Sequence, residues 1–168
     1  MFVRDENRYD LEAIRKVNLE AFGRSSEGRL VDRLRSEGLI VASLVAVVDG
    51  RIGGNIVFSE LPIRTEECVI DAAALAPLAV VPELQRRGIG TALVTEGLRA
   101  CRTRRKAAVL VLGDPSYYER FGFSAAAAQN IRGPYSGPGW MALELATGAL
   151  DGVEGSVTYP DAFADVES

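Results

Sequence analysis

Residues 78–92 read Leu78-Ala79-Val80-Val81-Pro82-Glu83-Leu84-Gln85-Arg86-Arg87-Gly88-Ile89-Gly90-Thr91-Ala92, and the rest of the chain is best understood outward from them. An apolar strand-like run enters a loop at Pro82, and the loop opens a helix expected over Thr91–Arg104. Leu93, Val94, Gly97, Leu98 and Cys101 fall on one face of that helix. The first N–H groups of a helix have no internal partner and sit at the positive end of its dipole. Such an end attracts an anion, phosphate above all. Gly88 and Gly90 remove side chains that would hold a phosphate away from those N–H groups. Ala107–Leu112 follows as a buried strand, so strand, loop, helix and strand form a βαβ unit.

Upstream the pattern differs. Met1–Arg4 reads as a short strand. Leu11, Ile14, Val17, Ala21 and Phe22 recur at helical spacing, which predicts a helix over Leu11–Phe22 stopped by Gly23. Leu30, Val31 and Leu34 mark a second helix ended by Gly38. Two apolar runs, Leu39–Val48 and Ile52–Leu61, flank Asp49-Gly50, a two-residue hairpin signal. Pro62 and Arg64–Glu67 read as a loop, and Cys68–Val81 as one or two further strands. Pro77 fits either the opening of a strand or an edge or bulge position, where proline is tolerated.

Downstream, Gly113-Asp114-Pro115 is a turn into a short helix ending at Gly122. Ala125–Gly139 reads as a surface loop, Met141–Leu145 as a strand, and Gly155–Tyr159 as a last strand. The sum is a mixed α+β fold in one domain spanning residues 1–168, with a mostly antiparallel sheet and flanking helices.

Bulk properties narrow the chemistry. An apolar share of 48% with 25% charged residues is globular composition. The net charge of −4 gives no pull on nucleic acid or on an anionic membrane. The arginine cluster at 102, 104 and 105 with Lys106 reads as a solvated helix end. The absence of histidine removes the commonest general base and most zinc sites, and no metal is expected. Cys68 and Cys101 read as reduced, buried thiols. The charged N-terminus does not resemble a signal peptide, and Ala72–Val81 falls well short of the ~20 residues of a membrane span. A cytoplasmic protein is expected.

Three anion-binding loops compete for Gln85–Gly90. A P-loop needs GxxxxGK[ST], which is absent. A Rossmann loop, the mark of a nucleotide-dependent oxidoreductase, needs a third glycine where Leu93 stands. The third is Gln/Arg-x-x-Gly-x-Gly/Ala, which Gln85-Arg86-Arg87-Gly88-Ile89-Gly90 fits throughout. With Leu112-Gly113-Asp114-Pro115-Ser116-Tyr117-Tyr118-Glu119-Arg120-Phe121-Gly122-Phe123 and Met141-Ala142-Leu143-Glu144-Leu145 in order behind it, the chain resembles the GNAT superfamily of N-acyltransferases, and within it the YhbS-like group.

The resemblance implies a GNAT fold whose sheet splays at a cofactor cleft, with acetyl-coenzyme A as cosubstrate and direct attack by a primary amine. The acceptor is a small molecule or peptide amine. A catalytically weak, acyl-CoA-binding regulatory domain is the alternative, and a homodimer stays open. The resemblance also implies site residues. Leu78, Ala79 and Val80 would bond the pantetheine arm, with the Val80 N–H polarising the thioester. Gln85, Arg86, Arg87, Gly88, Ile89, Gly90 and Thr91 would hold the pyrophosphate, with the two arginines either assisting or simply solvated. Tyr118 would be the general acid, with Tyr117 beside the cofactor. Many relatives carry an asparagine where Val111 stands, and Asp114 is the candidate to stand in for it. Asp71 and Glu60 are the nearest candidate bases, with water as the alternative. Trp140 fits either the acceptor pocket or the core.

Overall fold

The computed structural model describes residues 1–166. Its elements run β1 (Phe2–Asp5), α1 (Leu11–Phe22), α2 (Ser26–Ser36), β2 (Ile40–Val48), β3 (Arg51–Glu60), β4 (Ile63–Arg64), β5 (Val69–Ile70), β6 (Ala72–Val80), α3 (Ile89–Thr103), β7 (Ala108–Leu112), α4 (Pro115–Tyr118), α5 (Ala125–Ala128), β8 (Ile131–Arg132), β9 (Trp140–Glu144) and β10 (Gly155–Ser156). The main sheet has the order β1-β2-β3-β6-β7-β9 and is antiparallel except between β6 and β7. Those two strands are joined through α3, as the βαβ reading required.

Strand alternation divides the core. Val45, Val57, Ala72, Ala74 and Leu110 face α1, α2 and the C-terminal segment. Ala46, Ile56, Phe58, Ala73 and Val109 face α3. The β2–β3 turn is Asp49-Gly50 with φ of 49° and 76°, the left-handed pair that a two-residue hairpin needs.

Helix α3 lies close on the sheet because glycine leaves room for it. A Cβ on Gly97 would sit 2.2 Å from Cε2 of the buried Phe58. A Cβ on Gly54 of β3 would sit 2.9 Å from the Leu93 methyl. The depth of α3 sets where its N-terminus emerges beside β6.

The sheet opens at β6. Ala72, Ala73 and Ala74 pair with Ala108, Val109 and Leu110, and beyond Ala74 the two strands have no shared register. On its other side β6 carries a β-bulge: Ile56 opposes Leu78 and Phe58 opposes Leu75, so Ala76 and Pro77 together face Val57. Pro77 is therefore a bulge proline, which loses no ladder hydrogen bond.

Four expectations need correction. Ile63–Arg64 is a strand, not loop, and with β5, β10 and β8 forms a second, four-stranded sheet. The segment 125–139 is not only surface loop, since it holds α5 and β8 and buries Ala128 and Ile131. Helix α3 starts at Ile89, two residues before the expected position. Cys101 is buried, but Cys68 is exposed in the β4–β5 turn.

Gly97→Ala should destabilise the fold by about 1–3 kcal/mol, because Phe58 has no free space to move into. Urea unfolding measures this, and an unchanged midpoint would mean that α3 is not held at this contact.

Candidate active site

Where β6 and β7 part, a groove of about 740 Å³ runs from Leu78 and Val80 to the start of α3. The Val81 N–H donates to the Gly53 carbonyl at 3.0 Å, so β6 faces β3 at Val81 and, by alternation, at Ala79. Leu78 and Val80 point the other way, into the opening, on an edge that no described strand pairs. Ala79 is 1% exposed and packs with Val17 and Val81 on the α1 side, away from the groove.

Pro82–Leu84 forms a 3-10 turn that carries the chain to Gln85. The Gln85 amide donates to the Val80 carbonyl at 2.9 Å, tying the loop to the end of the strand. Arg86 and Gly88 both have positive φ, 63° and 83°, and these two left-handed residues swing the chain into α3. The first intrahelical bond runs from Ala92 N–H to the Gly88 carbonyl at 3.0 Å. The N–H groups of Ile89, Gly90 and Thr91 precede it and have no helical acceptor. No acidic residue occupies this first turn. Ile89 itself is buried in the core beneath α3, so only its backbone is on offer. Arg86 lines the groove and Arg87 does not.

The far wall comes from 113–120. Asp114 accepts from the Ser116 N–H at 2.9 Å and the Ser116 hydroxyl at 2.8 Å, so it caps α4 while lining the groove. The Tyr117 hydroxyl hangs over the glycine loop, 2.6 Å from where a Gly90 Cβ would be. Burial raises its pKa, and a hydrogen bond with Thr91 partly offsets this. Arg120 lies 4.5 Å over the Tyr117 ring and donates to the Tyr117 carbonyl at 2.9 Å. Its guanidinium joins Arg86 on the groove wall. The sequence reading did not single it out.

Tyr118 turns the opposite way. Its ring lies on Gly113, where a Cβ would meet the ring at 2.5 Å, and stacks edge-on against Phe123 at 5.8 Å. Burial, with a smaller contribution from Tyr117, pushes its pKa well above the ordinary phenol value. Among the described residues no hydrogen-bond partner holds its hydroxyl. Tyr118 and Leu78 are shared by the groove and by a second pocket of about 590 Å³ on the other side of the opening.

That second pocket is mostly apolar. Phe22 and Leu30 come from α1 and α2, Ala76 and Pro77 from the bulge, and Tyr135, Tyr159 and Phe163 from the C-terminal half. Among the described lining residues its one carboxylate is Glu27, in the first turn of α2. Burial raises the Glu27 pKa, but the Arg24 guanidinium at 2.7 Å and the Ser26 hydroxyl at 2.9 Å outweigh it and hold the group below the usual carboxylate range. Trp140 backs this pocket without lining it: it stacks 5.9 Å from Tyr135, and its indole donates to the Ile131 carbonyl at 3.0 Å. Neither candidate base is present. Glu60 pairs with Lys106 at 2.6 Å beside the opposite end of β6, and Asp71 precedes β6 at that same end. Val111 is fully buried, so no polar group replaces the missing asparagine there.

Among the described residues no helix is long and apolar enough to cross a membrane, and no three potential metal ligands gather. Burial pushes the Cys101 thiol up to about 12, which keeps it from acting as a nucleophile.

A parted sheet, a glycine-opened helix and two pockets meeting at a tyrosine describe an acyltransferase architecture, and the comparisons agree. Residues 3–126 match the acetyltransferase (GNAT) domain family. The chain is 35% identical over 166 residues to the uncharacterized N-acetyltransferase YhbS of Escherichia coli K12, covering 97% of this chain and 98% of that one. The crystal structure of E. coli YhbS in complex with CoA superposes with a TM-score of 0.87 at 34% identity, covering 97% and 91% of the two chains. A GNAT acetyltransferase from Brucella melitensis in complex with acetyl-CoA gives 0.80 at 33% identity, covering 96% and 97%. The chain belongs to the GNAT acetyltransferase family, and its fold is the GNAT fold.

Gly90→Glu should abolish acetyl-CoA binding while the thermal melt stays near that of the parent. The added carboxylate would sit at the free N–H groups and displace the Tyr117 hydroxyl. Calorimetry checks this, and unchanged affinity would make the loop purely structural.

Proposed function

We propose that this protein, as a single GNAT domain, transfers an acetyl group from acetyl-CoA to a primary amine by direct attack. The observation that carries the reading is the meeting of two pockets at Leu78 and Tyr118, one beside a helix N-terminus built for an anion, the other apolar and open to an acceptor.

The fit to the cosubstrate rests on this chain's own groups. The N–H groups of Ile89, Gly90 and Thr91, with Arg86 and Arg120 on the wall, suit a pyrophosphate. The open edge of β6 suits an amide-bearing arm, bonded as an added strand would be. Acetyl-CoA supplies the activated thioester. The Leu78 N–H donates to the thioester carbonyl oxygen, in place of the Val80 N–H that sequence alone suggests. Leu78 lies at the junction, whereas Val80 lies further along the groove with its carbonyl held by Gln85. The Val80 N–H holds the arm instead. The amine nitrogen forms its bond to the acyl carbon as the C–S bond breaks, and Tyr118 donates its proton to the departing sulfur. The proton lost by the amine passes to water, since neither Glu60 nor Asp71 is within the site and Glu27 is held by Arg24 and Ser26 below the usual carboxylate range, which makes it a weak base. Arg87 and Ala79 take no direct part, and Asp114 holds α4 in place.

The raised Tyr118 pKa keeps the phenol protonated throughout the neutral and mildly alkaline range. Its proton therefore should not limit kcat below the ordinary phenol value of about 10. Tyr118→Phe should lower kcat by ~10²–10⁴-fold with little change in acetyl-CoA affinity. Tyr117→Phe should weaken acetyl-CoA binding more than it lowers kcat, because its hydroxyl lies over the loop. Stopped-flow thiol release with a panel of amines measures both. Acetyl-CoA binding without thiol release for any amine would favour a regulatory domain instead. A silent Tyr118→Phe under chemistry-limited conditions would remove the tyrosine acid.

A further inference from the structure

We propose that the acceptor is a small primary amine with a single nitrogen on a flat apolar body, an arylalkylamine in chemical class, and that Glu27 receives it as the ammonium, which gives one proton to water before the free amine attacks. This deepens the acetyl-transfer reading and rests on its assignment of the second pocket to the acceptor.

Three features of the pocket agree. Its body is aromatic: Tyr159 lies 5.3 Å from Tyr135 and 4.8 Å from Phe163, edge to face. Edge-to-face rings form walls that favour a further ring. Its rim is also apolar and uncovered, with Phe22 40% and Leu112 49% exposed, where a water-facing surface would ordinarily be polar. The third feature is charge. Among the described lining residues Glu27 alone is charged. A carboxylate has about four acceptor sites. On Glu27, Oε1 accepts from the Arg24 Nε at 3.0 Å and from the Ser26 hydroxyl, and Oε2 accepts from the Arg24 terminal nitrogen at 2.7 Å and, more loosely, from the same Nε at 3.2 Å. The Nε bond is shared between the two oxygens, and its longer branch to Oε2 is the contact that a ligand N–H would replace. The Glu27 side chain is 7% exposed while Arg24 is 50% exposed, so the anion, not its partner, faces inward.

A single buried carboxylate among rings discriminates by class. A polyamine would leave further ammonium groups against apolar walls, at a desolvation cost. An amino acid would bring its own carboxylate towards Glu27. A small polar amine such as ethanolamine would leave the rings in contact with water. A volume of about 590 Å³ suits a ligand of one or two rings.

The test compares phenethylamine, ethanolamine and spermidine as acceptors for the intact protein and for Glu27→Gln and Phe22→Ser. Phenethylamine should exceed the other two by about 10-fold or more in kcat/KM, the order expected for burying one ring. Glu27→Gln should raise its KM by about 10-fold with kcat nearly unchanged, as for loss of a charge-assisted hydrogen bond. Phe22→Ser, at an exposed position, should raise KM by about 3-fold without affecting the fold. Comparable turnover of spermidine or ethanolamine, or a KM unmoved by both substitutions, would overturn the proposal. Preference for an N-terminal phenylalanyl peptide over phenethylamine would also overturn it, because the acceptor would then be a polypeptide. If no amine is acetylated, calorimetry of phenethylamine on the protein–CoA complex separates the two claims. Binding that Glu27→Gln weakens supports the pocket assignment even though transfer fails, and no binding overturns it.

Discussion

The separation of β6 from β7 after Ala74 is the constraint from which the rest of the site follows. Two strands that stayed paired to their ends would bury the N–H groups of Leu78 and Val80 in a ladder and leave no space between the faces of the sheet. The bulge at Ala76-Pro77 turns β6 aside while β3 continues to pair with it. Proline contributes because it has no N–H to lose at the unpaired step. On the other side β7 pairs with β9 along its full length, with no bulge. One strand is bulged and the other is not, and the two share no register beyond Ala74.

That gap would be inert without α3 at the right depth. The helix is seated by absent side chains, at Gly97 against Phe58 and at Gly54 against Leu93. Its N-terminus then emerges level with the open end of β6, and Gln85 ties the intervening loop to the Val80 carbonyl. Tyr117 and Tyr118 are adjacent in sequence but serve opposite sides of the opening, because a short helix turns neighbouring side chains about 100° apart. The Tyr117 hydroxyl reaches the glycine loop, and Tyr118 lines both pockets where they meet.

Much of this was legible because it is local. Gln85–Gly90 is a loop defined by backbone requirements, and Asp49-Gly50 is a turn defined by φ. The five apolar positions of α3 are a face defined by period. What was missed is non-local. The two-residue strands at 63–64 and 131–132 are too short to carry alternation, and they exist only because they pair with strands from elsewhere in the chain. Ala125–Gly139 looked like loop from its small residues, although Ala128 and Ile131 meet a core assembled elsewhere. Glu27 lies far from β6 in sequence and resembles an ordinary acidic residue in a first helical turn. Arg120 sat inside a recognised segment, and its stacking on Tyr117 was the available signal, three residues apart on a helical turn.

The second sheet has a consequence in time. β10 pairs with β4 across more than half the length of the chain, and Tyr159 and Phe163 follow β10. During synthesis β6, α3 and β7 leave the ribosome before any of these residues exists outside it. Contacts that close so long a loop form late. The half that carries the glycine loop is therefore synthesised first, and the apolar face of the second pocket gains its last wall only when Tyr159 and Phe163 follow.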